Sequence, residues 1–184
     1  VSHGGKAMMT AKDHPTGTDR LAEVAAAHPE AELIINVQGD EPLIEPDLID
    51  ALAAVFEEEP ELQMATVKSP MTDENEMRNP NNVKVVTDKE GYALYFSRSL
   101  LPYPRENTGV TVYKHIGIYA YRRDFLLQYA RMDPTALEQT ESLEQLRALE
   151  NGYKIKVIAT DFRFVGVDTL EDLAEVNRLY KERL

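Results

Sequence analysis

Cysteine is absent from the 184 residues, so disulfides and thiol catalysis are excluded. Basic residues are scarce: 20 Lys and Arg stand against 32 Asp and Glu, a formal net charge of −12. Because nucleic acids and anionic membranes bind through clusters of positive charge, the acidity argues against both as partners. No apolar run approaches the roughly 20 residues that span a bilayer. These absences fit a cytoplasmic protein, and they leave a small anionic substrate open, since a few local cations or a metal ion could hold one.

Apolar runs alternate with amphipathic segments along the chain, a pattern typical of α/β proteins. We expect strands at the apolar runs, which are 6–10, 32–38, 62–69, 83–87, 92–97, 113–121 and 154–160. We expect helices at the amphipathic segments, which are 16–28, 45–59, 123–131, 136–150 and 169–183. The pattern predicts one domain over residues 1–184, built on a mainly parallel, Rossmann-like sheet that helices flank. The stretch 92–145 breaks the rhythm, which indicates an insertion with strands of its own.

Two aspartates stand next to predicted strands. Asp40 follows the apolar run 32–38 at a glycine turn, and Asp168 precedes the last predicted helix. Open α/β sheets bind ligands at the carboxyl ends of their strands. Two carboxylates there could hold Mg²⁺ against substrate phosphates and support nucleotidyl transfer. Alternatively, Asp40 caps a turn and Asp168 caps the helix, although Thr169 already offers that second cap.

The segment 15–20 is a turn that leads into a helix. Thr16 and Gly17 supply small residues and backbone N–H groups at a helix start, which suits an anion or the edge of a base. Arg20 would present a planar fork to a carboxylate or phosphate. An ordinary helix cap followed by a surface arginine explains the same residues. Gln38 could bind a sugar hydroxyl, or it could simply end an apolar run.

The second half of the chain offers further polar candidates. His115 and Tyr119 are four residues apart on a predicted strand, so they share a face and could line a polar pocket. A lone histidine on a strand also fits a structural role. Acids recur at every third position of the predicted 136–150 helix: Glu138, Glu141 and Glu144, with Gln145 beside the last. They fit a solvated face, or a subset could bind a polyhydroxylated sugar.

Several segments together resemble one family, the 3-deoxy-manno-octulosonate (Kdo) cytidylyltransferases, or CMP-Kdo synthetases. The segments are HPTGTDRLAE (14–23), VQGDEP (37–42), NPNNVKVV (79–86), GYALYFSR (91–98), HIGIYAY (115–121), LEQLR (143–147) and GVDT (166–169). Their order and spacing match over almost the whole chain. The resemblance implies the nucleotidyltransferase version of the fold, with the 92–145 insertion supplying dimer contacts.

The resemblance also implies a reaction. CTP and Kdo give CMP-Kdo and pyrophosphate, with Mg²⁺ as cofactor, and the product feeds lipopolysaccharide synthesis in the cytoplasm. The implied protein partner is a second copy of the chain in a homodimer.

The matching positions imply a role for each candidate residue. Asp40 and Asp168 would be the catalytic residues that hold Mg²⁺. Thr16 and Gly17 would lie near the cytosine. The implied Kdo contacts are Arg20, Gln38, His115, Tyr119, Glu144 and Gln145.

The resemblance starts partway into the family pattern. The family opens with a strand and a cationic loop that cradles the triphosphate, and the 184 residues start after that loop, so we expect this polypeptide alone to be inactive. Two alternatives to CMP-Kdo synthesis stay open. One is CMP transfer to another acid sugar, such as an amino-Kdo or a sialic acid. The other is a non-catalytic module that keeps the dimer surface.

Overall fold

A computed structural model describes residues 4–39, 42–106, 108–162, 167 and 169–182, the side chains at 172, 175 and 182 excepted. Its helices are α1 (Gly17–Ala27), α2 (Pro46–Glu58), α3 (Glu74–Arg78), α4 (Arg123–Tyr129), α5 (Ala136–Glu141), α6 (Gln145–Glu150) and α7 (Leu170–Glu182). Its strands are β1 (Leu33–Asn36), β2 (Met64–Pro70), β3 (Lys84–Thr87), β4 (Ala93–Ser97), β5 (Tyr113–Arg122) and β6 (Ile155–Ala159). None of the helices in the described ranges has the length and apolar character needed to cross a membrane.

Strand β5 is the longest strand and organises the sheet. One of its edges pairs with β2 in antiparallel register, from Tyr121 opposite Met64 to Tyr113 opposite Pro70. The remaining pairings of β5 are with β1, at residues 119–122, and with β3, at Lys114. Strand β6 extends the sheet beyond β2, and β4 extends it beyond β3.

The sheet is mixed, so the expectation of a mainly parallel sheet is wrong for the described strands. Four of the pairings are antiparallel, and only β2 with β6 is parallel. The alternation of strand and helix correctly indicates that β1 and β2 run in the same direction. It could not show that β5, which comes much later in the chain, lies between them and runs the opposite way.

Apolar clusters cover both faces of the sheet, because successive residues of a strand point to opposite faces. On β2, Met64 joins one cluster and Ala65 joins the other. Helix α2 covers the second face with buried residues four positions apart: Leu48, Leu52 and Phe56. On the first face, α4 and α6 contribute Phe125, Leu126, Tyr129, Leu146 and Ala148. The candidate site described below opens beside this first cluster.

Most predicted elements are present, but two further expectations are wrong and one helix was not predicted. Residues 6–10 form no strand, and the short helix α3 was not expected. The helix expected at 136–150 is two helices, because Ser142 takes a left-handed conformation with φ of 52° and ends α5. The 92–145 stretch contributes β4 and β5 to the main sheet. Its role in dimer contacts stays a prediction.

Candidate active site

A cavity of about 300 Å³ lies where α1 begins, β1 ends and the α5–α6 turn passes over β5. Its walls are formed by Gly17, Thr18, Asn36, Gln38, Met64, Tyr119, Tyr121, Tyr129, Ser142, Leu143, Glu144 and Gln145. Five of these residues are predicted substrate contacts: Gly17, Gln38, Tyr119, Glu144 and Gln145. The fold therefore brings together residues from four distant parts of the sequence.

The first turn of α1 forms one wall. The Thr16 side chain caps the helix, since its hydroxyl oxygen accepts a hydrogen bond from the Asp19 N–H at 3.2 Å. This cap fixes the start of the helix and directs Gly17 and Thr18 at the cavity. A Cβ atom added to Gly17 would meet no protein atom within 4 Å. Packing of the protein therefore does not require glycine at this place, and the missing side chain leaves room for a ligand.

The α5–α6 turn forms the opposite, acidic wall. The hydroxyl of Thr18 donates to the carboxylate of Glu144 at 2.5 Å, which ties this wall to α1 across the cavity. The Tyr129 hydroxyl donates to the main-chain oxygen of Glu144 at 2.5 Å. Gln145 is buried beside it. A held carboxylate and a buried carboxamide next to open space are groups that bind the hydroxyls of a sugar.

Aromatic rings line the floor. Tyr119 and Tyr121 stack with ring centroids 5.8 Å apart, and Tyr121 and Tyr129 stack at 6.2 Å. Burial raises the pKa of Tyr119 and of Tyr121 well above the ordinary value. These hydroxyls therefore stay neutral at physiological pH, so they can donate hydrogen bonds to a ligand but cannot serve as bases.

His115 lies behind this floor. Its ring is 5.3 Å from the ring of Tyr119, and the residue does not line the cavity. The Thr66 hydroxyl lies 2.8 Å from the Ile118 carbonyl oxygen and 2.9 Å from Nε2 of His115. If that hydroxyl donates to the carbonyl, Nε2 must carry a proton and donate to Thr66. Burial lowers the pKa of His115 to about 3, so the ring is neutral.

Two other predicted contacts stand at the edge of the cavity without lining it. Thr16 acts as the helix cap, and Arg20 points its guanidinium at the loop that precedes the helix. That guanidinium donates to the Thr10 hydroxyl and to the Ala11 carbonyl oxygen. The predicted sugar contacts of Arg20 and His115 stay predictions, and so does the cytosine contact of Thr16.

The acids of the α5–α6 region do not form a solvated face, so that interpretation is wrong. Glu138 is buried and receives two hydrogen bonds from the Arg147 guanidinium, one of them from Nε at 2.8 Å. Burial alone would raise the pKa of Glu138, but these bonds lower it. Glu141 accepts from the Ser97 hydroxyl at 2.6 Å. Only Glu144, of the three acids, lines the cavity.

Sequence reasoning missed several residues of the cavity, including Thr18, Asn36, Tyr121 and Tyr129. Thr18 sits inside the segment 15–20, so its place next to Gly17 was the available signal. Tyr121 shares a strand face with Tyr119, two residues away, which the period of a strand predicts. Tyr129 gives no such signal, because its helix shows only an apolar pattern.

The predicted metal ligands Asp40 and Asp168 lie outside the described residues. Within the part of the chain that the structure describes, no three His, Asp or Glu side chains gather closely enough to hold a metal ion. Gln38 lines the cavity, and Gly39 follows it as the last described residue before Asp40.

Comparisons with known proteins agree with this geometry. The model of the cytidylyltransferase family matches residues 1–155. The 3-deoxy-manno-octulosonate cytidylyltransferase of Fusobacterium nucleatum is 54% identical over 182 residues, which cover 99% of this chain and 74% of that protein. The enzyme of the same name from Geobacter sulfurreducens is 54% identical over 184 residues, covering 94% of this chain and 73% of that protein.

A solved structure of CMP:2-keto-3-deoxy-manno-octonic acid synthetase complexed with CTP superposes with a TM-score of 0.93. It is 43% identical, and the match covers 100% of this chain and 75% of that one. Between 43% and 54% of the aligned residues are thus shared with these relatives across nearly the whole chain, and the backbone follows the solved synthetase closely. The chain belongs to the 3-deoxy-manno-octulosonate cytidylyltransferase family.

Proposed function

We propose that this protein transfers CMP from CTP to Kdo. The anomeric hydroxyl oxygen of Kdo attacks the α-phosphorus of CTP, and a new oxygen–phosphorus bond forms. The bond from the α-phosphorus to the oxygen that bridges to the β-phosphate breaks, and pyrophosphate leaves. The hydroxyl proton passes to solvent. The products are CMP-Kdo and pyrophosphate, as the names of the relatives suggest.

The observation that carries this proposal is that one cavity has both a wall that can bind sugar hydroxyls and, at the start of α1, free space beside a glycine. Glu144 and Gln145 offer a carboxylate and a carboxamide to sugar hydroxyls, and Tyr119 offers a neutral phenol. Across the cavity, Gly17 leaves space for a flat ring such as cytosine. The first N–H groups of a helix have no partners within the helix, so they suit the polar edge of a base.

Arg20 supports the proposal for an acidic sugar. Its described bonds, to Thr10 and Ala11, are made through one terminal nitrogen, and the residue lies one helical turn after the cavity-lining Gly17. A planar guanidinium can bind a carboxylate through two parallel hydrogen bonds. We propose that Arg20 meets the carboxylate of Kdo and that His115 acts through Tyr119.

We further propose Mg²⁺ as the cofactor, held by Asp40 and Asp168. Two carboxylates together with phosphate oxygens are the ligand set that Mg²⁺ prefers. When bound, the ion would neutralise phosphate charge and favour ionisation of the attacking hydroxyl. Gly39 leads from the cavity-lining Gln38 directly to Asp40, which suits this assignment.

The direct experiment follows pyrophosphate release from CTP by the intact enzyme, with Kdo and Mg²⁺ present. We expect release that requires both additions. Release without Kdo, or none with it, would contradict the proposal. Replacing Kdo by an amino-Kdo or by a sialic acid tests the alternative substrates, and a higher kcat/KM with either would reassign the sugar.

The metal assignment has its own test. Asp40→Asn and Asp168→Asn should each lower turnover by at least a hundredfold. Calorimetric titration with Mg²⁺ and a non-hydrolysable CTP analogue should show weaker metal-dependent binding in both variants. Wild-type binding and turnover in both variants would remove these aspartates from the metal site.

A homodimer in the cytoplasm completes the proposal. Residues 100–106 and 108–112 border an open groove of about 590 Å³, where Tyr103 and Val110 are 81% and 62% exposed. Exposed apolar groups around a groove are common where proteins associate. Sedimentation of the intact protein should give a dimer that Tyr103→Glu weakens, and a wild-type monomer at all concentrations would refute this part.

A further inference from the structure

The turn between α5 and α6 carries the acidic wall of the cavity, yet its own conformation is costly. Ser142 has a φ of 52°, which an ordinary L-residue adopts only when surrounding contacts hold it there. Leu143 is buried, and Glu144 and Gln145 follow directly. Any rotation of this turn would displace both polar groups that face the cavity.

A single arginine holds the turn from the side away from the cavity. Arg98 donates from Nε to the Glu141 carbonyl oxygen at 2.7 Å and from a terminal nitrogen to the Ser142 carbonyl oxygen at 3.3 Å. Its other terminal nitrogen donates to the Pro80 carbonyl oxygen at 3.1 Å. In return, the Glu141 carboxylate accepts the backbone N–H of Arg98 at 3.0 Å. The guanidinium thus joins two consecutive carbonyl groups of the turn to a separate loop.

A buried lysine fixes the backbone of this arginine. Lys84 is fully buried, and its ammonium group donates to the carbonyl oxygens of Asn79 at 3.0 Å, Asn82 at 2.6 Å and Arg98. The three donors of an ammonium group are therefore all used. The loop at 79–82 and the end of β4 become one rigid support behind the turn.

We propose that Arg98 is a positioning residue for the sugar substrate, an inference that rests on the proposed function. Arg98 does not itself line the cavity, and it acts by fixing the backbone of Ser142 and, through it, the carboxylate of Glu144 and the carboxamide of Gln145. The CTP side of the cavity, at Gly17, belongs to α1, whose start is fixed by the Thr16 cap. The bond from Thr18 of α1 reaches the side chain of Glu144, whereas Arg98 holds the backbone of the turn. Loss of Arg98 should therefore weaken the binding of the sugar and leave the binding of the nucleotide unchanged.

The chain contains a matched control. Arg122 also donates to three carbonyl oxygens, those of Leu62 at 3.3 Å, Phe56 at 2.7 Å and Pro60 at 3.2 Å. It is half-buried, like Arg98, but its three acceptors lie at the far end of α2 and do not line the cavity. Arg98→Lys and Arg122→Lys each replace a planar guanidinium, which donates in several directions, by a single ammonium group. The two variants therefore lose similar hydrogen bonds to backbone carbonyls, one beside the cavity and one away from it.

The test compares steady-state kinetics of the intact enzyme and its variants, together with thermal unfolding. We expect Arg98→Lys to raise the KM for Kdo about tenfold and Arg98→Met to raise it further, while the KM for CTP stays within twofold of wild type. Arg122→Lys should lower the unfolding temperature by as much as Arg98→Lys does and leave both KM values unchanged.

Each other outcome overturns the inference. An unchanged KM for Kdo in both Arg98 variants would show that the turn keeps its shape without Arg98. An equal rise in the KM for CTP, or failure of both variants to fold while Arg122→Lys folds, would assign Arg98 to the general fold. A wild-type enzyme that releases no pyrophosphate with Kdo would instead remove the proposed function, which is a separate result.

Discussion

Stability at mildly acidic pH should depend on one buried imidazole. The His115 ring is neutral in the folded protein, because burial lowers its pKa to about 3. In the unfolded chain the same ring has a pKa near 6.5 and binds a proton as the pH falls. The unfolded state therefore binds more protons than the folded state between these two values, and the fold loses stability as the pH drops through this window.

The size of the loss follows from the two pKa values. Between pH 7.5 and pH 5, linkage gives a decrease of about 2 kcal/mol in the free energy of unfolding from His115. Carboxylates with lowered pKa values, such as Glu59 and Glu138, stabilise the fold above the pKa of the unfolded chain, near 4.5. Their contribution is lost mainly below pH 5, so it does not obscure the histidine.

Urea unfolding at pH 7.5, 6 and 5, followed by far-ultraviolet circular dichroism, measures this slope. His115→Gln keeps a donor for Thr66 but cannot take up a proton in this range. We expect the variant to be less stable at pH 7.5 and to show little further loss by pH 5. A variant that loses the same 2 kcal/mol as the wild type would show that another group carries the pH dependence.

Two further pairs of substitutions test the cavity and the core. Gly17→Ala should leave stability unchanged or raise it by up to about 1 kcal/mol, as expected for alanine in a helix, yet raise the KM for CTP severalfold. The control is Gly117→Ala, which is equally uncrowded but lies outside the cavity and should leave the KM for CTP unchanged. Equal KM values in the two variants would refute the placement of the cytosine next to Gly17. Arg147→Met should cost about 3 kcal/mol in urea unfolding, because it leaves Glu138 buried without its cation. Asp124→Asn breaks an exposed ion pair and should cost less than about 1 kcal/mol, so equal losses would show that burial is not what matters.

The sequence predicted local structure well and tertiary placement poorly. Strands were expected at 83–87 and 92–97, and the observed hairpin of β3 and β4 turns between them. There the Asp88 carboxylate accepts the N–H groups of Glu90 and Tyr92, and Gly91 takes a positive φ. These are interactions between near neighbours, so composition reveals them. The insertion of β5 between β1 and β2 pairs residues that are roughly 40 to 90 positions apart, and the sequence of an apolar strand does not reveal which strands it pairs with.

In the candidate site, too, the sequence indicated some residues and missed the long-range contacts. Family motifs pointed to Gln38, Tyr119, Glu144 and Gln145, and the structure gathers these four around one cavity. The break at Ser142 could not be foreseen, because neither glycine nor proline marks it. Arg98 donates long-range hydrogen bonds to the carbonyl oxygens of Glu141 and Ser142, and no pattern in the 136–150 segment reveals these bonds.

The tyrosines that line the floor of the cavity make ligand binding observable through the protein's own ultraviolet spectrum. The chain has nine tyrosines and no tryptophan, so tyrosine alone dominates its near-ultraviolet emission and absorbance. Three of the nine line the cavity. A molecule that settles there changes the surroundings of a third of the chromophores at once. Occupancy can therefore be titrated without a label and without turnover, even with ligands that never react.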